Sequence, residues 1–271
     1  DSCRTLGLAF RAIGDAQAWR KAIEYFERGL KTALDNGYME VAIWCYNSLG
    51  VVTPSHLYER KLECFEKGYA LAKKVGHISS ESWLGSQLAG LMLLRGEVAN
   101  GVSLAETSLA LARKAGHMAN ICVSLILLGV GYLILGEWER SEQCLTEALT
   151  ISQKLDLFEQ NLLSNGYLAL LYLDKGEHGK AVEFAEKAFT RLEEAGNLLF
   201  SELASWLVLP YIELGEIGKA EKQIGIYHKL ALETEDKQLI ATVDTLRAAS
   251  LRAQKKWDES IKLFEKSLQE W

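Results

Sequence analysis

Two histidines, His77 and His117, stand 40 residues apart, each directly after a glycine, Gly76 and Gly116. Imidazoles at one phase of a repeat could face each other as a metal pair. A zinc site needs three or four protein ligands, however, and no third ligand type recurs with these two. A repeated helix-boundary residue is the simpler account. Cys64 and Cys144 share another phase and read as small core hydrophobes, with a reactive thiol as the alternative. Glu137 and Glu177 follow Gly136 and Gly176, where first-turn acids meet the positive end of a helix dipole. The pair Glu193-Glu194 reads as a solvated face. A Gly-rich phosphate loop, His-Glu-x-x-His, a nucleophile elbow and Cys-x-x-Cys are all missing from the sequence. No catalytic residue, metal ligand or cofactor is expected, and the chain reads as a binding protein, not an enzyme.

The elements that would position a binding site follow from the rest of the chain. Its 271 residues hold two prolines, where an average chain of this length has about 13 or 14, so long stretches are free to be continuous helix. A hydrophobic content of 49% with 24% charged residues is enough for a large core. The net charge of -6 comes from 36 acidic and 30 basic side chains spread along the sequence. That leaves no basic stripe for a phosphate backbone, and no direct nucleic-acid contact is expected. The five cysteines, Cys3, Cys45, Cys64, Cys122 and Cys144, lack paired short spacing; they suit a reducing compartment as buried hydrophobes, and a cytoplasmic location is expected. The most apolar stretch, Ile121 to Leu135, is too short for a membrane span and contains Ser124, Gly129 and Gly131. No signal peptide is visible. A start at Asp1 and a last segment that stops at Trp271, short of its counterparts, read as a piece of a longer protein.

A period runs through the whole chain. One register of helix stops falls at Gly96, Gly136, Gly176, Gly215 and Lys255, and a second at Gly37, Gly76, Gly116, Asp156, Gly196 and Asp236, with spacings of 39 or 40. Glycine, and aspartate less readily, tolerates the left-handed conformation that ends a helix. Two stops per period predict one helical hairpin per repeat. Apolar residues recur at three and four, as in Ala181, Phe184, Ala185, Ala188, Phe189 and Leu192, which gives the second helix of its hairpin one apolar stripe. Five residues past each turn stand Gly101, Ser141, Ala181, Ala220 and Ser260, small enough for close helix approach.

The first helix of each hairpin carries a Leu-Gly or Leu-small pair, then an aromatic, then the turn glycine. Leu6-Gly7 with Phe10 and Gly14, Leu128-Gly129 with Tyr132, Leu168-Ala169 with Tyr172, and Leu207-Val208 with Tyr211 follow the pattern, with Trp138 and Trp257 just after their turns. Leu88-Ala89 is followed by Met92 instead of an aromatic. This pattern resembles the tetratricopeptide repeat, in a 40-residue form longer than the familiar unit of about 34 and without its closing proline. Similar long repeats occur in maltose-activator-type ATPase regulators, cell-polarity adaptors and kinesin light chains. The resemblance implies an all-α fold, a right-handed α-solenoid of about seven antiparallel helix pairs. The repeats are expected at roughly 1–36, 37–76, 77–116, 117–156, 157–196, 197–236 and a truncated 237–271. The second is irregular, since Thr53-Pro54-Ser55-His56 replaces its last turn and Pro54 is expected to end that helix early. In the last, Asp244 and Arg247 fall at apolar or small places, as a polar end-cap would.

In the family that this chain resembles, the first helices line a concave groove. Carried over residue by residue, that groove takes Trp83, Ser86, Gly90 and Leu93; Val123, Ile126, Val130 and Leu133; Leu163, Gly166, Leu170 and Leu173; and Ser205, Leu209 and Ile212. Polar positions lie toward the ends: Arg4, Arg11, Asn47, Thr245 and Arg252. The lysine and asparagine clamp with which chaperone-tail adaptors of the family hold a terminal carboxylate is not reproduced. An apolar trough with small residues suits an amphipathic helix or extended hydrophobic segment of a protein partner, though the same side chains could instead simply pack against neighbouring helices. The expected role is an interaction scaffold or sensor within a larger regulatory protein. An effector-binding domain of a maltose-activator-type regulator is the alternative, and self-association through the end repeats is a third.

Overall fold

The structure, a computed structural model, describes residues 16–53, 57–194, 204–234 and 237–270. Every regular element among them is an α-helix: α1 Ala16–Asp35, α2 Met39–Val52, α3 Tyr58–Val75, α4 Ile78–Leu94, α5 Val98–Ala115, α6 Met118–Ile134, α7 Trp138–Lys154, α8 Phe158–Asp174, α9 His178–Glu194, α10 Ala204–Glu213, α11 Ile217–Thr234, α12 Lys237–Ala253 and α13 Trp257–Glu270. The chain divides into two compact units, Asp1–Leu135 and Gly136–Trp271. In the first, consecutive helices from α1 through α6 pack on one another, and α4 also packs on α6. In the second, α7 to α13 pack in the same sequential way, with α8 on α10 and α10 on α12. Both units are therefore all-α helical repeats in which the first helices of successive hairpins also touch one another.

The stops have the expected geometry. Gly37, Gly76, Gly96, Gly116, Gly136, Gly176 and Gly215 all have positive φ, and the two non-glycine stops, Asp156 and Lys255, adopt it too at 50° and 61°. Gly196 and Asp236 lie outside the described residues. At Gly76 the chain closes with His77 N–H donating to the Ala72 carbonyl at 2.9 Å, and at Gly116 with His117 N–H donating to Ala112 at 3.1 Å. These backward bonds satisfy carbonyls that the last helical turn would leave bare. α2 ends at Val52, where Thr53 N–H and Oγ1 both donate to the Leu49 carbonyl. Pro54 itself lies outside the described residues.

Position in the stack explains the sequence pattern. A first helix between two others is apolar nearly all round, as α6 is, whereas a second helix such as α9 keeps one apolar stripe and a charged outer face. Glycines permit close approaches at several places. A Cβ at Gly50 would run into the Phe65 ring, one at Gly101 would lie 2.9 Å from Leu93, and one at Gly131 would lie 2.4 Å from Val102 Cγ2. In the second unit a continuous core joins Leu162, Phe189, Tyr211, Ile224, Tyr227 and Leu246. Asp244 is not the solvent-facing cap expected of a terminal hairpin: it is buried and accepts from Lys266 Nζ at 2.5 Å.

Candidate binding surface

The recurring histidines are helix caps. His77 Nδ1 accepts from Ser80 N–H at 3.2 Å and His117 Nδ1 from Asn120 N–H at 3.4 Å, each satisfying a donor of the first turn of α4 or α6. No cluster of three or more His, Cys, Asp or Glu that could hold a metal exists among the described residues. Glu137 and Glu177 pair with the base three residues on, Arg140 at 2.6 Å and Lys180 at 2.7 Å. Cys45 and Cys122 are buried, but Cys64 and Cys144 are only half-buried, because the second helix of a hairpin has solvent on its outer side. Burial nevertheless pushes the Cys64 thiol up, away from the reactive thiolate.

What the first helices leave uncovered is a single stripe. On α4 it runs Trp83, Gln87, Gly90, Leu94; on α6, Val123, Leu127, Val130, Ile134; on α8, Leu163, Tyr167, Leu170, Asp174. In the first unit, neighbouring stripes join. Trp83 Nε1 donates to Asn47 Oδ1 at 2.9 Å, linking α4 to α2. A Cβ at Gly90 would sit 3.4 Å from Leu127 Cδ2, so α4 and α6 meet there with no gap. The far ends are the most open, Leu94 at 80% and Ile134 at 53% exposure. In the second unit the stripe ends in charge, with Arg252 pairing with Glu213 at 3.4 Å.

The expected groove needs correcting at five positions. Ser86, Leu93, Ile126, Gly166 and Ile212 are buried. Ser86 Oγ is bonded to the Ser82 carbonyl and to Ser124 Oγ at 2.9 Å, Leu93 packs over Gly101, and Ile212 belongs to the second unit's core. Steps of four residues advance about 40° beyond a full turn, whereas steps of three fall about 60° short. Counting 83, 86, 90, 93 therefore turns every other residue toward the neighbouring helix, and 83, 87, 90, 94 stays outside. Gln87, Leu94, Leu127, Ile134 and Tyr167 were missed for the same reason, and a strict i, i+4, i+7, i+11 count from Trp83, Val123 and Leu163 would have found them. Asn47, Trp83, Gly90, Val123, Val130, Leu133, Leu163, Leu170, Leu173, Leu209 and Thr245 are half-buried, and Arg252 is exposed. Arg4, Arg11 and the Ser205 side chain lie outside the described residues.

Behind the stripe, tyrosines tie three of the first helices, α6, α8 and α10, to the helix before each. Tyr132 Oη donates to Glu106 Oε1 at 2.9 Å. Tyr172 Oη donates to Glu142 Oε1 at 2.7 Å, and Lys175 Nζ reaches the other oxygen at 2.8 Å. These donors, Lys175 foremost, hold the Glu142 carboxyl below its usual range. Tyr211 is pushed up to about 12 by burial and then by Glu186. Such pairs brace a repeat junction.

No family model matches the chain, and no curated protein matches it in sequence. Solved structures do. Aspartyl phosphate phosphatase F from Bacillus subtilis is 14% identical with a TM-score of 0.69, over 99% of this chain and 69% of that one. A Rap protein complexed with Competence and Sporulation Factor is 14% identical with a TM-score of 0.63, over 93% and 65%. A signal transduction ATPase with numerous domains from Pyrococcus horikoshii, which has a tetratricopeptide repeat sensor, is 18% identical with a TM-score of 0.59, over 99% of this chain and 41% of its own length. The shared feature is the fold, a tandem array of helical hairpins.

Proposed function

We propose that this tetratricopeptide-fold array is a non-catalytic interaction module of a regulatory protein, and that its first helices bind an apolar or amphipathic segment of a protein partner. The observation that carries the reading is the joined stripe of the first unit. Trp83, Val123, Leu127 and Val130 are half-buried there and Leu94 and Ile134 exposed, on a face where α4 and α6 already meet at Gly90. Apolar side chains recurring along parallel helices suit a helix laid across them. Trp83, fixed by Asn47, is the kind of rigid aromatic that anchors such interfaces.

The test is selection of binders from a library of amphipathic helical peptides. Selected peptides should bind the wild-type chain, lose at least about tenfold in affinity to Leu127→Glu, and bind Glu147→Lys on the outer side of α7 unchanged, with all three proteins melting alike. Peptides indifferent to Leu127→Glu would sink the proposal.

A second reading is an effector-sensing domain. The Pyrococcus horikoshii ATPase favours it, because a tetratricopeptide sensor there belongs to a signalling protein. A small effector would bind without any peptide competing for it.

A further inference from the structure

The repeats can be aligned by their own hydrogen bonds. The backbone N–H after each turn returns to Met92, Tyr172, Tyr211 and Leu251, donated by Glu97, Glu177, Glu216 and Lys256 respectively. Leu251 of α12 therefore occupies the place of the bracing tyrosines. The second-helix partner of that brace is Glu106 below Tyr132 and Glu186 beside Tyr211, ten residues past the turn, and Glu142 below Tyr172, six past it; on α11 the first phase is Gly225 and the second is Glu221. The tyrosine and the glutamate of the Glu106 and Glu186 phase are thus both missing at one junction, and Glu221 has no tyrosine to meet. What they leave is a cavity of about 320 Å³ between α11, α12 and α13, and a Cβ at Gly225 would meet nothing within 4 Å.

A third departure supplies its chemistry. Ser260 Oγ donates to the Ala248 carbonyl, just as Gly101 abuts the carbonyl of Ala89, so Arg247 stands where Leu88, Leu128 and Leu168 are buried. Arg247 is half-buried and lines the cavity, and among the described residues it has no ion pair and no hydrogen bond. A partly desolvated cation with no direct ion pair is open to pairing with an incoming anion. Ser250, already accepting from Gln254, lines the same space, and Ile224, Leu251 and Leu263 form apolar walls. Glu221 borders it too, one carboxylate oxygen accepting from Gln254 Nε2 at 2.9 Å. It repels a second negative charge.

The geometry points to a binding site for a small monocarboxylate with a compact apolar body. The carboxylate pairs with Arg247 in the forked geometry that guanidinium favours, and the body fills the volume vacated by the tyrosine–glutamate brace. The cavity is of a size that takes a small ligand, and its lining belongs to the second unit, not to the stripe of the first.

The probes are 3-phenylpropanoate and 4-methylpentanoate, each beside its neutral amide, titrated calorimetrically into the whole 271-residue chain. At least one carboxylate should bind saturably, with its amide weaker by about tenfold or more. Arg247→Leu restores the side chain of the other repeats, so it should melt at or above the wild-type temperature and yet lose carboxylate binding by a similar factor. The double substitution Gly225→Glu with Leu251→Tyr rebuilds the brace and should abolish binding by filling the cavity. Absence of binding by both carboxylates, amides that bind equally well, or undiminished binding by Arg247→Leu would each overturn the proposal.

Discussion

The indole of Trp83 on α4 donates to the side-chain carbonyl of Asn47 on α2 at 2.9 Å, across 36 residues of sequence. It is a side-chain bond between successive first helices, and it holds the largest side chain of the open stripe in place. Asn47→Ala and Trp83→Phe should couple by about 0.5–1.5 kcal/mol, the usual net contribution of such a bond. A double-mutant cycle in chemical denaturation measures it, and zero coupling would show that the bond does not matter in solution.

Gly131→Ala should destabilise despite alanine's better helix propensity. Propensity favours the change by about 1 kcal/mol, but the new Cβ would lie 2.4 Å from Val102 Cγ2, and overpacking of a tight interface costs about 1–3 kcal/mol. Val102→Ala removes the obstructing methyls. The pair Gly131→Ala/Val102→Ala should therefore be more stable than the two single effects sum to, read from denaturant midpoints.

The caps give a cleaner contrast. His77→Ala removes the acceptor for Ser80 N–H and should cost about 1 kcal/mol, while His77→Asp restores an acceptor and should recover most of that loss. Thermal melts of the three proteins would decide it. Equal losses for Ala and Asp would mean that the imidazole acts by packing alone.

Glu142 introduces a pH dependence. Its folded pKa is depressed, first by Lys175 and then by Tyr172, so its contribution is fully present above the ordinary carboxylate range and is lost as pH falls through the depressed folded value. The stability gap between wild type and Glu142→Gln should therefore be largest near neutral pH and close on acidification. A gap that is constant down to acid pH would show that the Tyr172–Glu142–Lys175 group does not act through charge.

Reading the chain alone went far for local features and stopped at rotational ones. Gly76, Gly116, Asp156 and Lys255 mark helix ends because a left-handed residue is a property of its own backbone. The 40-residue hairpin period and the all-α class followed from such marks. His77 and His117 were legible as boundary residues on the same ground. Which face of each first helix stays open depends instead on two neighbouring hairpins, and those helices are apolar nearly all round, so no amphipathic stripe in the sequence announces it. A difference of about 100° per residue was enough to place Ser86 and Ile126 inside and leave Gln87 and Leu127 outside. The cavity at Arg247 needed more still. Three separate substitutions, on two helices, become one site only when α11, α12 and α13 are packed together.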